Sequence, residues 1–186
     1  MLALRTSIAF IPLFAALSLY AEVEPAPSDE LLDVGDTAPD WELPGSDGKT
    51  YRLSKLLEDR AVVLAWYPKA YTRGCTIECK SLKEQGHLIR EFDVDYFMAS
   101  VDPIEQQKGF SEQQGADFPL LADATRKTAD AYGVLSERGL AKRHTFYIGM
   151  DGKVLHVDRN VEPKSAAVDI AAALATLGVK RAETRK

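Results

Sequence analysis

Apolar and polar positions along the chain fall into short extended runs and helix-spaced stretches. Ala61 to Tyr67, AVVLAWY, is continuously apolar, the pattern of a strand covered on both faces. Tyr96 to Val101, YFMASV, is a second such run. Between them, residues 75–92 carry Leu82, Leu88, Ile89 and Phe92 among charges, a helical spacing. Residues 103–115 read as a helix that stops at Gly115, and 125–132 as a short helix that stops at Gly133. Phe118 to Leu121 is an extended piece between them. Thr50 to Leu53 reads as a short strand after the Asp47-Gly48 turn. Thr145 to Ile148 and Val154 to Val157 flank Asp151-Gly152, a dipeptide suited to a tight hairpin turn. A last helix starts after Pro163 and puts Ala166, Ile170, Ala173 (or Leu174) and Leu177 on one face. Strand, helix and strand, followed by a hairpin and a closing helix, describe an α/β fold with a mixed central sheet flanked by helices.

The two ends differ from this body. Arg5 is the only charge before Glu22, and Thr6 to Leu19 is mostly apolar. A membrane-spanning helix needs about 20 apolar residues. This stretch is shorter, follows one positive charge and ends among small residues, so residues 1–21 are expected to be a secretory signal peptide. Cleavage after Ser18 puts Ala16 at the −3 position; cleavage after Ala21 puts the larger Leu19 there. The alternative is an uncleaved segment that anchors the protein to a membrane. Cleavage would leave no stable membrane insertion and a periplasmic or secreted protein. Residues 22–34, EVEPAPSDELLDV, read as a flexible acidic leader. The domain is expected over 35–178, followed by a polar, fraying tail at 179–186.

At 186 residues, 46% hydrophobic and 27% charged, the chain has room for one domain with a sizeable core. A formal charge of −5 argues against a nucleic-acid partner. His87, His144 and His156 are scattered and read as structural or exposed, and the cysteine spacing fits no usual zinc site. Asp47-Gly48-Lys49-Thr50 looks like the end of a phosphate loop, but Gly45 stands too close for that spacing; it reads as a turn.

The two cysteines carry the chemistry. The chain leaves the first buried strand through Pro68-Lys69-Ala70-Tyr71-Thr72-Arg73-Gly74-Cys75-Thr76-Ile77-Glu78-Cys79. Proline ends the strand, and Gly74 permits an unusual backbone angle ahead of a helix. Cys75 then falls at or near a helix N-terminus, where free N–H groups and the macrodipole favour a thiolate over a thiol. Thr72, three residues earlier, is placed to aim its hydroxyl at the same spot or to cap the helix. By position alone Arg143 is a surface charge beside Lys142, and Glu78 simply favours the first helical turn.

Pro68, Thr72 and Cys75 match the P-x-x-x-T-x-x-C motif of peroxiredoxins. The run PKAYTRGCTIE resembles their Q-type, bacterioferritin-comigratory-protein-like subgroup, and the similarity extends over roughly residues 34–158, including Arg143-His144-Thr145-Phe146. The element order is similar to that of the thioredoxin fold. The resemblance implies a thiol peroxidase with no metal or haem cofactor. It assigns peroxide attack to Cys75, peroxide positioning to Thr72, shielding of the thiolate to Pro68 and charge stabilisation to Arg143. Implied partners are hydrogen peroxide or an organic hydroperoxide and a thioredoxin-like or other dithiol reductant, with the protein acting as a monomer or weak dimer. One departure stands out. The subgroup's resolving cysteine, when present, lies five residues after the peroxidatic one. Lys80 occupies that position here, and Cys79 is the candidate resolving thiol. The competing reading is a thioredoxin-like thiol–disulfide oxidoreductase of the cell envelope. Such proteins usually carry C-x-x-C, and disulfide exchange does not require the Thr and Arg.

Overall fold

A computed structural model describes residues 31–183. The elements, in chain order, are β1 (Glu42–Pro44), β2 (Thr50–Arg52), α1 (Leu53–Leu56), β3 (Ala61–Trp66), α2 (Arg73–Ile89), β4 (Val94–Ser100), α3 (Ile104–Gln114), β5 (Leu120–Ala122), α4 (Lys127–Ala131), β6 (Thr145–Ile148), β7 (Val154–Asp158) and α5 (Ala166–Thr176). Five strands form the central sheet in the order β5-β4-β3-β6-β7, while β1 and β2 pair as a separate hairpin. The β3–β4 and β4–β5 pairs are parallel; β3–β6 and β6–β7 are antiparallel. The mixed α/β sheet expected from the pattern is therefore present.

The apolar run of β3 explains the two-sided core. Its alternate residues point to opposite faces. Val63, Ala65 and Tyr67 join α2, α5 and Phe110 of α3 on one side. Val62, Leu64 and Trp66 join Trp41, Leu53, Tyr132 and Phe146 on the other. Fully burying a side chain such as Leu64 contributes about 1.5–3 kcal/mol, so this one central strand ties both layers together.

Several boundaries move. The strand read over Thr50 to Leu53 stops at Arg52, because Leu53 opens the helical turn α1 and turns into the core. β1 has only Leu43 buried among its three residues, too little pattern to read without its partner. Gly115 ends α3 in the left-handed region, at φ 60°, as the pattern required.

Both flanks are held more firmly than their composition suggests. Leu32 packs on the core, and its carbonyl accepts a hydrogen bond from Arg159 at 2.9 Å. Gly35 N–H donates to Val154 O at 2.9 Å. The end of the acidic leader thus belongs to the domain. Likewise Val179 packs against the core, Asp93 N–H donates to Lys180 O at 2.7 Å, and Ala182 N–H donates to Glu91 O at 2.9 Å. The Arg181 guanidinium lies 4.6 Å from the centre of the Phe92 ring. Residues 179–182 are polar, yet backbone groups of Lys180 and Ala182 pair with Asp93 and Glu91 in the segment that leads into β4. The signal reading of residues 1–21 and most of the leader lie outside the described residues. No described helix is long and apolar enough to cross a membrane.

Candidate active site

Strand direction decides what meets at one edge of the sheet. β3 runs toward Tyr67 and Pro68. β6 is antiparallel to it, with Ala65 opposite Thr145, so Arg143 and His144 arrive at the same edge. Trp66 N–H donates to His144 O at 2.8 Å and closes that junction. β4 is parallel to β3, so Ser100 and Asp102 end there too. α2 starts from this edge.

α2 begins two residues earlier than the pattern indicated. Thr72 is its N-cap, in extended conformation, and Thr76 N–H makes the first helical bond to Thr72 O at 2.9 Å. The N–H groups of Arg73, Gly74 and Cys75 precede that bond and have no helical acceptor. Cys75 is the third residue of the helix and is fully buried. Arg143 Nη2 lies 3.2 Å from its Sγ. The other guanidinium nitrogen, Nη1, donates to Glu78 Oε2. Glu78 is also fully buried, and its second oxygen, Oε1, has no hydrogen-bond partner. One guanidinium therefore joins a sulfur to a carboxylate that sits three residues further along the same helix.

Two sequence expectations change here. Gly74 lies inside the helix and does not have a positive φ; the left-handed residue is Tyr71, at φ 65°. Gly74 is needed for space instead, since a β-carbon there would stand 3.2 Å from Arg143 Nη2. Gly74→Ala is accordingly expected to improve helix propensity, by up to about 1 kcal/mol, yet to slow the reaction of Cys75 by roughly tenfold as the guanidinium is displaced. Stopped-flow oxidation and a thermal melt on the same variant check both halves. Second, the Thr72 hydroxyl neither caps the helix nor bonds Cys75. It donates to Lys69 O at 2.9 Å, which leaves its lone pairs free as acceptors. Pro68 is half-buried just after β3.

Cys79 lies one turn beyond Cys75, also fully buried, and both thiols are free. Burial pushes the Cys79 thiol up to about 12, with Lys83 partly opposing the shift. Arg143 and Glu78 were not joinable from the sequence. The available signal was the spacing: Cys75, Glu78 and Cys79 share one helix face, and a carboxylate on a buried face needs a cation. A cavity of about 800 Å³ lined by Asp59, Arg60, Arg90, Phe92 and Asp93 lies at the opposite end of β3 and β4 and plays no part in this arrangement.

A buried cysteine at a helix start, held by a guanidinium, is thiol chemistry. The AhpC/TSA family model matches residues 34–157, more than half of the chain. The chain belongs to the AhpC/TSA family. Peroxiredoxin Bcp of Escherichia coli is 32% identical over 133 residues, covering 68% of this chain and 85% of that protein. The crystal structure of peroxidoxin BcpB from Mycobacterium tuberculosis matches with a TM-score of 0.71 at 37% identity, covering 78% of this chain and 97% of the other. The bacterioferritin comigratory protein of Xanthomonas campestris, described for its alkyl peroxide reduction activity, matches with a TM-score of 0.69 at 25% identity, covering 78% and 96%. This is a Q-type, bacterioferritin-comigratory-protein-like peroxiredoxin with a thioredoxin-like fold, and a thiol-dependent peroxidase. The thiol–disulfide oxidoreductase alternative is not favoured.

Proposed function

We propose that Cys75 is the peroxidatic nucleophile and that Arg143, Thr72 and Pro68 complete its site. The observation that carries this reading is the Arg143 guanidinium 3.2 Å from the Sγ of a buried cysteine at a helix start. The thiolate attacks one oxygen of the hydroperoxide in line with the O–O bond. A sulfur–oxygen bond forms, the O–O bond breaks, and the second oxygen leaves as hydroxide or alkoxide and takes up a proton. Cys75 becomes a sulfenic acid. Charge moves onto the leaving oxygen, where the guanidinium and the unpartnered first-turn N–H groups of α2 stabilise it. The lone pairs of Thr72 Oγ1 accept the hydrogen bond from the peroxide O–H. Pro68, with no N–H to offer, shields the thiolate. Hydrogen peroxide and organic hydroperoxides are both substrates in this reading; the likeness to the Xanthomonas campestris protein supports the second class. The protein acts as a monomer or weak dimer in this reading.

Cys79 resolves the sulfenic acid: its sulfur displaces hydroxide from Cys75, water is released, and a Cys75–Cys79 disulfide forms. A dithiol reductant, thioredoxin-like or other, then returns both cysteines to thiols and is itself oxidised to a disulfide. Residues four apart on a helix have β-carbons about 5–6 Å apart, whereas a disulfide needs about 3.5–4.5 Å. The first turns of α2 therefore unwind for this step. Unwinding also exposes Cys79, whose thiol falls from about 12 in the core toward the ordinary value of about 8.5. Peptide mapping after one equivalent of peroxide is expected to find the Cys75–Cys79 linkage. Cys79→Ser is expected to react once, accumulate sulfenic or sulfinic acid and lose dithiol-dependent recycling. If wild-type protein shows no such linkage, an external thiol resolves Cys75.

The protein works outside the cytoplasm, periplasmic or secreted after cleavage of residues 1–21; their single positive charge and short apolar run support this. Fractionation of source cells is expected to find a shortened form there. A full-length soluble cytoplasmic form would contradict it, and a full-length membrane-bound form would point to the uncleaved anchor.

A further inference from the structure

The loop between β3 and α2 is gripped at two consecutive residues by the segment that runs from β4 into α3. Ala70 N–H donates to the buried Asp102 carboxylate at 2.8 Å. The same oxygen accepts the Ser100 hydroxyl at 2.8 Å. Ser100 Oγ accepts from the Gln107 side-chain amide at 2.8 Å, and that amide also donates to Leu121 O at 2.8 Å. Gln107 accepts the Tyr67 hydroxyl. The grip on Ala70 is thus fixed through a connected set of buried polar groups reaching α3 and β5.

The next residue, Tyr71, has φ 65°, a region that residues with a β-carbon rarely occupy unless their surroundings hold them there. Its ring is half-exposed and stands edge-on to Phe110, with centroids 5.3 Å apart. Its hydroxyl lies 3.4 Å from Gln106 O. Directly beneath is Gly109, in the middle of α3, where a β-carbon would stand 2.6 Å from that hydroxyl. Glycine is unfavourable inside a helix, and this close approach gives it a reason. The notch is shaped for the tyrosine.

We propose that Tyr71, seated in the Gly109 notch, is a positioning residue for peroxide attack. With the Asp102–Ala70 bond it fixes the loop that sets Thr72 and the first turn of α2 around Cys75. The inference rests on Cys75 being the reacting thiol. Seated, the tyrosine keeps the first turn formed and the attack geometry intact. Unseated, the loop lets that turn unwind, which slows attack but not the step after it.

Stopped-flow fluorescence on the full chain separates the peroxide-dependent phase, oxidation of Cys75, from the later peroxide-independent phase. Gly109→Ala and Tyr71→Ala are each expected to slow the first phase by about tenfold to a hundredfold, the scale of a small misplacement at a reacting centre. The second phase is expected to be no slower. Tyr71→Phe keeps the ring on Phe110 and should restore the first phase to within about twofold of wild type, a cutoff well under the tenfold that 1.36 kcal/mol represents. The double variant Tyr71→Ala/Gly109→Ala should be no slower than Tyr71→Ala, because the added methyl then displaces nothing. A first phase at the wild-type rate in Tyr71→Ala, additive losses in the double variant, or equal slowing of both phases would overturn the proposal. Cys75→Ser, run in parallel, separates the two readings. Retained turnover in that variant moves the reacting thiol elsewhere. A silent Cys75→Ser beside a fast Tyr71→Ala removes only the role of Tyr71.

Discussion

Cys75→Ser is expected to reduce dithiol-dependent peroxide consumption to the uncatalysed background while the protein stays folded. Removing the atom that forms the bond removes the pathway; loss of an enzyme's nucleophile costs on the order of 10⁶ in turnover where it has been isolated. A serine hydroxyl is far less acidic than a thiol and does not attack peroxide oxygen at neutral pH. The fold should tolerate the change. Serine is nearly the shape of cysteine, and its oxygen can accept the hydrogen bond that Arg143 Nη2 now gives to the sulfur. The stability change should stay near the typical single-substitution value of about 1 kcal/mol. Thermal melts and a coupled peroxidase assay on the same sample measure both quantities. Turnover within tenfold of wild type would assign the reaction to another group, with Cys79 the first to test.

Arg143→Ala should fall on rate and stability together, and the structure shows how to separate them. Loss of one charged donor at a developing oxyanion costs roughly 10²–10³ in rate. The same substitution strips the partner from Glu78, which is fully buried and already has one oxygen without a hydrogen bond. Breaking a buried ion pair from one side costs about 3–5 kcal/mol, because the remaining charge stays in the core. That is a large part of an ordinary domain's stability of about 5–15 kcal/mol. Arg143→Ala/Glu78→Gln removes the stranded charge. It should recover most of the stability while its oxidation rate remains at least about a hundredfold low. Rate recovery to within threefold of wild type would mean that Arg143 serves Glu78 alone; that cutoff is well under the tenfold that 1.36 kcal/mol represents.

Local pattern carried much of the way in this chain. A seven-residue apolar run, a helical repeat and an Asp-Gly turn are short-range features, so β3, α2 and the β6–β7 hairpin were legible from neighbouring residues alone. The same holds for Cys75 near a helix start, and for the motif that links Pro68, Thr72 and Cys75, since all three lie within one loop and the turn after it. A three-residue strand such as β1 and a four-residue helix such as α1 have too few positions to show a period. The composition of residues 179–182 could not reveal the backbone pairing with Glu91 and Asp93, because pairing has no side-chain signature.

The charge and the room around the cysteine depend on separations of tens of residues. Arg143 reaches Cys75 because β6 runs antiparallel to β3 and delivers its first residues to the edge where α2 begins. By position along the chain Arg143 is one cation beside Lys142; the family resemblance singles it out, and the sheet order explains how it reaches Cys75. Glu78 reads simply as an acid that favours the first helical turn, whereas the packing of α2 buries it against that same guanidinium. Gly74 and Gly109 are each a place where another side chain needs the room of a missing β-carbon. The sequence by itself determined where a thiol stands near a helix start, because residue type and local helix pattern are short-range properties. The tertiary structure decided what surrounds that thiol, because charge pairing and steric room belong to residues that only folding brings together.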